Sequence, residues 1–149
     1  MKGFSHLPYK QEFLARLQAG LPFSTRSYFL KVLVCGGRDY KDLKKVYEVL
    51  DKLHNDYSIT IIVHGAAPGA DSLADRWASQ EGIPRLSYPA EWEKYKKLGQ
   101  KNPAGPIRNA QMLKENPDIQ LAVSFPGGSG TADMVKKIKE KNILIIEIS

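Results

Sequence analysis

The chain has 149 residues, 42% of them hydrophobic, and 22 Lys and Arg against 16 Asp and Glu give a net charge of +6. That length suits one domain with its own core, and no apolar run reaches membrane-spanning length. The opening MKGFSHLPYKQEFLARLQAG has no continuous apolar stretch and no small-residue cleavage site, so no secretory signal is expected. The single cysteine, Cys35, excludes an internal disulfide and fits a reducing, cytoplasmic setting.

The positive balance suits anionic partners. It is not gathered into one block: Lys94, Lys96, Lys97 and Lys101 form one group, and Lys136, Lys137, Lys139 and Lys141 another. Both read first as solvated helix faces. His6, His54 and His64 are scattered and Cys35 stands alone, so neither a metal site nor a cofactor is expected.

Residues 1–29 carry two prolines and no strand-like run. Within them Phe13, Leu14 and Leu17 share one helical face, and Gly20 suits a C-cap. This segment reads as a short N-terminal helical extension, either a docking helix, a dimer element or an arm. From residue 30 onward strand and helix take turns. KVLVC is a buried strand, YKDLKKVYEVLDKLH a helix with Leu43, Val46, Val49, Leu50 and Leu53 at helical spacing, and ITIIVHG a second strand. ADSLADRWASQEG is a helix closed by Gly82, PRLSYP a third strand, and PIRNAQMLKEN a helix with Pro106 in its first turn. IQLAVSF, GTADMVKKIKEKN and ILIIEI complete the series as strand, helix and strand. Strands apolar on both faces imply helices on both sides of a parallel sheet. The expectation for residues 30–149 is an α/β, Rossmann-like doubly wound sheet of about five strands.

Ligands of such sheets bind at the carboxyl ends of the strands, near the switch point of strand order. Three loops therefore matter. In CGGRDY, Gly36 and Gly37 permit a sharp turn, Arg38 reaches a phosphate, and Asp39 caps the next helix. A plain turn explains the same glycines equally well, and neither G-x-G-x-x-G nor Gly-Lys-Ser/Thr follows. In HGAAPGAD, Gly65 and Gly69 leave the backbone uncovered, while Asp71 is either an N-cap or an acceptor for ribose hydroxyls. His64 reads more readily as a structural hydrogen-bonding residue than as a catalyst. In FPGGSGTADM, Pro126 ends the strand, Gly127 and Gly128 permit close approach, and Ser129, Gly130 and Thr131 present N–H groups and hydroxyls at a helix start, where the dipole favours an anion. Asp133 is either an acid favoured by that dipole or a carboxylate aimed at a ribose or a reacting bond. Arg108 and Asn109, read in the first turn of their helix, are a fourth element. An arginine opposing the dipole there points to a bound phosphate or carboxylate.

Together CGGRDY, HGAAPGAD, GPIRNAQM and PGGSGTADMV resemble, in the same order, the motifs of the YspA / cpYpsA-related branch of the SLOG superfamily, over residues 31–149. The resemblance implies binding of a nucleotide or nucleotide derivative. Relatives include the Lonely Guy phosphoribohydrolases and DNA-binding DprA-type proteins, and other SLOG domains handle nucleotide signals in bacterial and phage conflict. The phosphoribohydrolase motif P-G-G-x-G-T-x-x-E places a catalytic glutamate where this chain has Asp133, and an Arg-Lys pair where it has Arg108 and Asn109. The acid is thus one methylene shorter, and the lysine is replaced. Two functions follow. One is hydrolysis of an N-glycosidic bond, with Asp133 and Arg108 as the catalytic pair. The other is a sensor or sponge that binds without turnover. Single-stranded DNA ranks third, because no basic stripe is interleaved with aromatics and Trp77 and Trp92 read as core or cleft wall. The resemblance also implies a homo-oligomer.

Overall fold

The computed structural model describes residues 30–149. The expected N-terminal helix at Phe13, Leu14 and Leu17 lies outside the described residues. Five strands form one sheet: β1 (Leu30–Cys35), β2 (Ile59–His64), β3 (Arg85–Ser87), β4 (Leu121–Ser124) and β5 (Leu144–Glu147). Four α-helices connect them: α1 (Leu43–Tyr57), α2 (Ala70–Glu81), α3 (Ala104–Glu115) and α4 (Ser129–Glu140). The strand order is β3-β2-β1-β4-β5 and every pairing is parallel. This is the expected Rossmann-like architecture, with its switch point between β1 and β4.

Alternation along the central strands divides the core into two layers. Val32 and Val34 of β1, with Leu121 and Val123 of β4, pack against Val46, Leu50 and Leu53 of α1 and Ala74 and Trp77 of α2. Leu33 and Cys35, with Val63 and Ala122, face Met112 and Leu113 of α3 and Met134 and Ile138 of α4. The apolar runs that hid any alternation in the sequence are therefore strands covered on both faces. β3 departs from that pattern: Arg85, Leu86 and Ser87 are all exposed, because it is an edge strand whose one neighbour is β2. Burial also settles Cys35. Desolvation is the main reason its thiol is pushed up to about 12, so it packs as a neutral side chain.

Helix ends follow local chemistry. Asp42, not Asp39, caps α1, its carboxylate accepting from the Lys45 N–H at 2.9 Å. Gly82 closes α2 in the left-handed conformation, at φ 69°. α3 begins two residues before Pro106, where Asn102 Oδ1 accepts the Ala104 N–H at 3.0 Å. Pro106 is thus in the first turn, but Arg108 is the fifth helical residue. The expected placement of Arg108 and Asn109 in the first turn is corrected by that earlier start, and the opposition between Arg108 and the dipole is weaker.

Candidate functional site

The loops after β1, β2 and β4 meet at the switch point around a cleft of about 570 Å³. Its wall includes Gly36, Gly37, Arg38, Asp39, Gly65, Asp71, Arg108, Asn109, Gly128, Ser129, Gly130, Thr131 and Asp133. Four expected residues stand outside the lining. His64 is buried and bonds Asp75 through Nε2 at 2.6 Å, while its Nδ1 accepts from the Ala66 N–H at 2.9 Å. Gly69 turns the chain into α2. Pro126 and Gly127 border a second groove, between α4 and β5, to which Gly128 and Thr131 also contribute.

The glycines divide into two kinds. The Gly37 N–H donates to Pro126 O at 2.9 Å, and the Ala70 N–H donates to Gly37 O at 3.1 Å, so all three loops are joined backbone to backbone. A Cβ on Gly127 would stand 2.6 Å from Gly37 N and collide with the Thr131 hydroxyl. Gly69 has φ +80°, and a Cβ there would lie 2.6 Å from Arg38 O. These glycines let the loops touch each other. Gly128 and Gly130 differ, since a Cβ on either would meet nothing within 4 Å. They are exposed at the first turn of α4. That helix has no side-chain cap, and its first N–H with a described backbone partner is that of Ala132, bonded to Gly128 O at 3.0 Å. The N–H groups of Ser129, Gly130 and Thr131 are open at the positive end of the dipole.

Asp71 is the second residue of α2 and does not cap it. Its Oδ2 instead accepts the N–H groups of Gly65 at 3.0 Å and Ala67 at 3.2 Å, folding the β2 loop over a buried carboxylate. Desolvation raises its pKa, opposed by the Ala67 hydrogen bond, the charges of His64 and Arg108, and the Gly65 bond. Arg108 runs beneath the same loop. Its Nη1 donates to Gly65 O and to Tyr88 O, the latter at 3.2 Å, and its Nε to Asn109 Oδ1 at 3.0 Å. Among the described residues Nη2 has no partner. The guanidinium lies against Gly65: a Cβ there would be 2.6 Å from Arg108 Cζ, so the arginine end would have to shift to admit one.

Asp133 is held from two sides. Asn109 Nδ2 donates to its Oδ2 at 3.0 Å, and Lys137 Nζ reaches both oxygens at 2.6 and 2.7 Å. Burial raises its pKa, but the bonds from Lys137 and Asn109 and the charges of Lys137 and Lys136 outweigh it, leaving a net depression. The carboxylate is ionised at neutral pH. The Lys137 pairing was available as an i,i+4 spacing on a helix. Trp92 is the residue whose place the sequence left open between core and cleft wall. It lies in a 3₁₀ segment (Trp92–Lys101) broken at Tyr95 and Gly99, half-exposed on the cleft wall, with the Arg38 guanidinium 5.8 Å from its ring centroid. Gln100 from that segment and Asn102, just after it, also line the wall. The signal was a tryptophan in a stretch, PAEWEKYKKLGQKN, too polar to bury it.

The topology and the position of the cleft define a Rossmann-like α/β domain with a switch-point site. A sequence model of the YspA, cpYpsA-related SLOG family matches residues 30–95. Gene 61 protein of Mycobacterium phage D29 is 36% identical over 123 residues, covering 78% of this chain and 94% of the phage protein. The chain belongs to the YspA, cpYpsA-related SLOG family. The X-ray structure of DNA processing protein A (DprA) from Streptococcus pneumoniae matches with a TM-score of 0.59 at 21% identity, over 81% of this chain and 50% of that one. This chain thus spans about half the length of that protein, and the likeness is one of fold. No helix among the described residues is long and apolar enough to cross a membrane.

Proposed function

We propose that the chain binds a nucleotide or nucleotide-derived ligand in the switch-point cleft, with a phosphate on the first turn of α4. The observation that carries this reading is the uncapped start of that helix, Gly128 to Thr131, opening onto a cleft that Arg38 and Arg108 also line. Open N–H groups, a helix dipole and two guanidinium groups favour a multiply charged oxyanion over a neutral ligand. Gly36, Gly37, Gly65 and Asp71 shape the pocket in this reading, and Asp39 and Ser129 stand at its rim. His64, Gly69, Pro126 and Gly127 act from behind the wall.

A second reading is hydrolysis of the N-glycosidic bond. It is favoured by one observation: Asp133 is ionised and fixed by Asn109 and Lys137 within the cleft. A carboxylate in that state orients ribose hydroxyls and stabilises positive charge developing on the sugar. The test is to incubate the protein with nucleoside mono-, di- and triphosphates, NAD, ADP-ribose and cyclic nucleotides, then to analyse bound and free fractions by liquid chromatography and mass spectrometry. Retention of an intact member supports binding alone. A free base with a ribose phosphate supports hydrolysis. Retention of no member, with none consumed, overturns both readings, and tight salt-sensitive retention of single-stranded DNA alone would replace them.

A further inference from the structure

The cleft holds an aromatic side chain that the core does not need. Trp77 is 1% exposed and donates to Asp51, whereas Trp92 is 43% exposed. Three features nevertheless fix Trp92. Asn102 Nδ2 donates to Trp92 O at 3.0 Å while its Oδ1 holds the Ala104 N–H, clipping the tryptophan backbone to the start of α3. The indole edge rests on Gly105, where a Cβ would stand 3.2 Å away. Arg38 lies over the ring. A large apolar ring held this firmly yet left half in solvent suits a ligand better than a core.

The geometry points to Trp92 as the stacking platform for the nucleobase, with Gln100 as the side chain that meets the base's edge. This inference rests on the proposed binding of a nucleotide phosphate at α4. Trp92, Gln100 and the Gly128–Thr131 turn line one cleft, so a ligand with a phosphate at one end and a planar ring at the other has a partner for each. Gln100 is exposed and has no hydrogen-bond partner among the described residues. Its amide carries both a donor and an acceptor. The bond that fixes Trp92 comes from the chain just before α3, so the platform is registered against the helix that carries Arg108 and Asn109.

The experiment compares the four nucleoside 5′-monophosphates with ribose 5-phosphate, by calorimetry and by tryptophan fluorescence, in the wild type, Trp92→Ala and Trp92→Phe. At least one nucleotide is expected to bind about tenfold or more tighter than ribose 5-phosphate, the size of one base–aromatic stack. Trp92→Ala removes that advantage, the nucleotide losing far more affinity than ribose 5-phosphate, while Trp92→Phe keeps most of it. Nucleotides quench the fluorescence of Trp92 and ribose 5-phosphate does not, since Trp77 is buried. Wild-type binding of ribose 5-phosphate with no gain from any base overturns the platform and leaves the phosphate site standing. Equal loss of all ligands in Trp92→Ala, with a preserved thermal midpoint, also overturns it. Failure of the wild type to bind any of the five overturns the platform, while the underlying reading falls only if the wider nucleotide panel is also neither retained nor consumed.

Discussion

Asn109 Nδ2 lies 3.0 Å from Asp133 Oδ2, joining α3 to α4 across the cleft floor. The same amide donates to Gly130 O at 3.3 Å and accepts from Arg108 Nε at 3.0 Å, and Asn109 is 4% exposed. One buried side chain thereby sets the positions of the α4 turn, the acid and the arginine.

That arrangement makes Asn109→Asp a sharp test. It replaces a donor to Asp133 with a second carboxylate at the same place, and one of the two must then take up a proton. The variant should match the wild type most closely near pH 4 and lose about 1–3 kcal/mol of stability as pH rises to 7. Denaturant melts across that range check it. A constant difference between the two proteins would show that Asn109 does not face Asp133 in solution.

Asp133→Asn separates binding from chemistry. The Lys137 pair is partly exposed, so its loss should cost under about 1 kcal/mol at neutral pH. The depressed pKa means that the ion pair stabilises the fold above the unfolded carboxylate value, near 4, and that this contribution disappears as pH falls through the lower folded value. The gap between wild type and variant should therefore narrow below pH 4. In a nucleotide assay the variant should retain affinity, and any base release should vanish. Loss of affinity together with release would remove Asp133 from the catalytic role.

Asp71 carries the opposite sign. Burial raises its pKa, so its ionisation opposes folding: its contribution is best below the unfolded value and is lost as pH rises through the folded one. Both loop bonds go to one oxygen, which an asparagine retains. Asp71→Asn should gain on the wild type between pH 4 and 7. Asp71→Ala should lose about 1–3 kcal/mol by orphaning two N–H groups. Thermal midpoints against pH decide the matter, and an Asn variant that falls behind as pH rises would refute the burial argument.

Adjacent glycines give a fourth contrast. Gly127→Ala forces a Cβ against Thr131 and Gly37 N and should destabilise the fold by about 1–3 kcal/mol. A Cβ on Gly128 meets nothing within 4 Å, so Gly128→Ala should melt within about 0.5 kcal/mol of the wild type. Because Gly128 lines the proposed phosphate site, the added methyl group should weaken ribose 5-phosphate binding. If both variants melt alike and bind alike, the division of glycines into loop contacts and open cradle is wrong.

The sequence by itself determined the order of strands and helices, the parallel sheet and the glycine-rich loops at its carboxyl edge. Those properties are local: apolar runs, helical spacing, Gly82 as a stop and a glycine-rich turn are each read within a few residues. β3 was legible as well, as the short third strand in PRLSYP; what the apolar pattern did not carry is that all three of its residues are exposed at the sheet edge. Tertiary structure alone decided which groups share a partner. Asp71 read as a cap or as a ribose acceptor; it does not cap the helix but closes a loop, because the Gly65 and Ala67 N–H groups come back to it. Gly69 and Gly127 both close onto Gly37, because three loops separated by tens of residues converge at the switch point. Trp92 joins them from a segment with no motif. Periodicity and composition report what a residue prefers. Only the closed fold supplies the distances that determine what it meets.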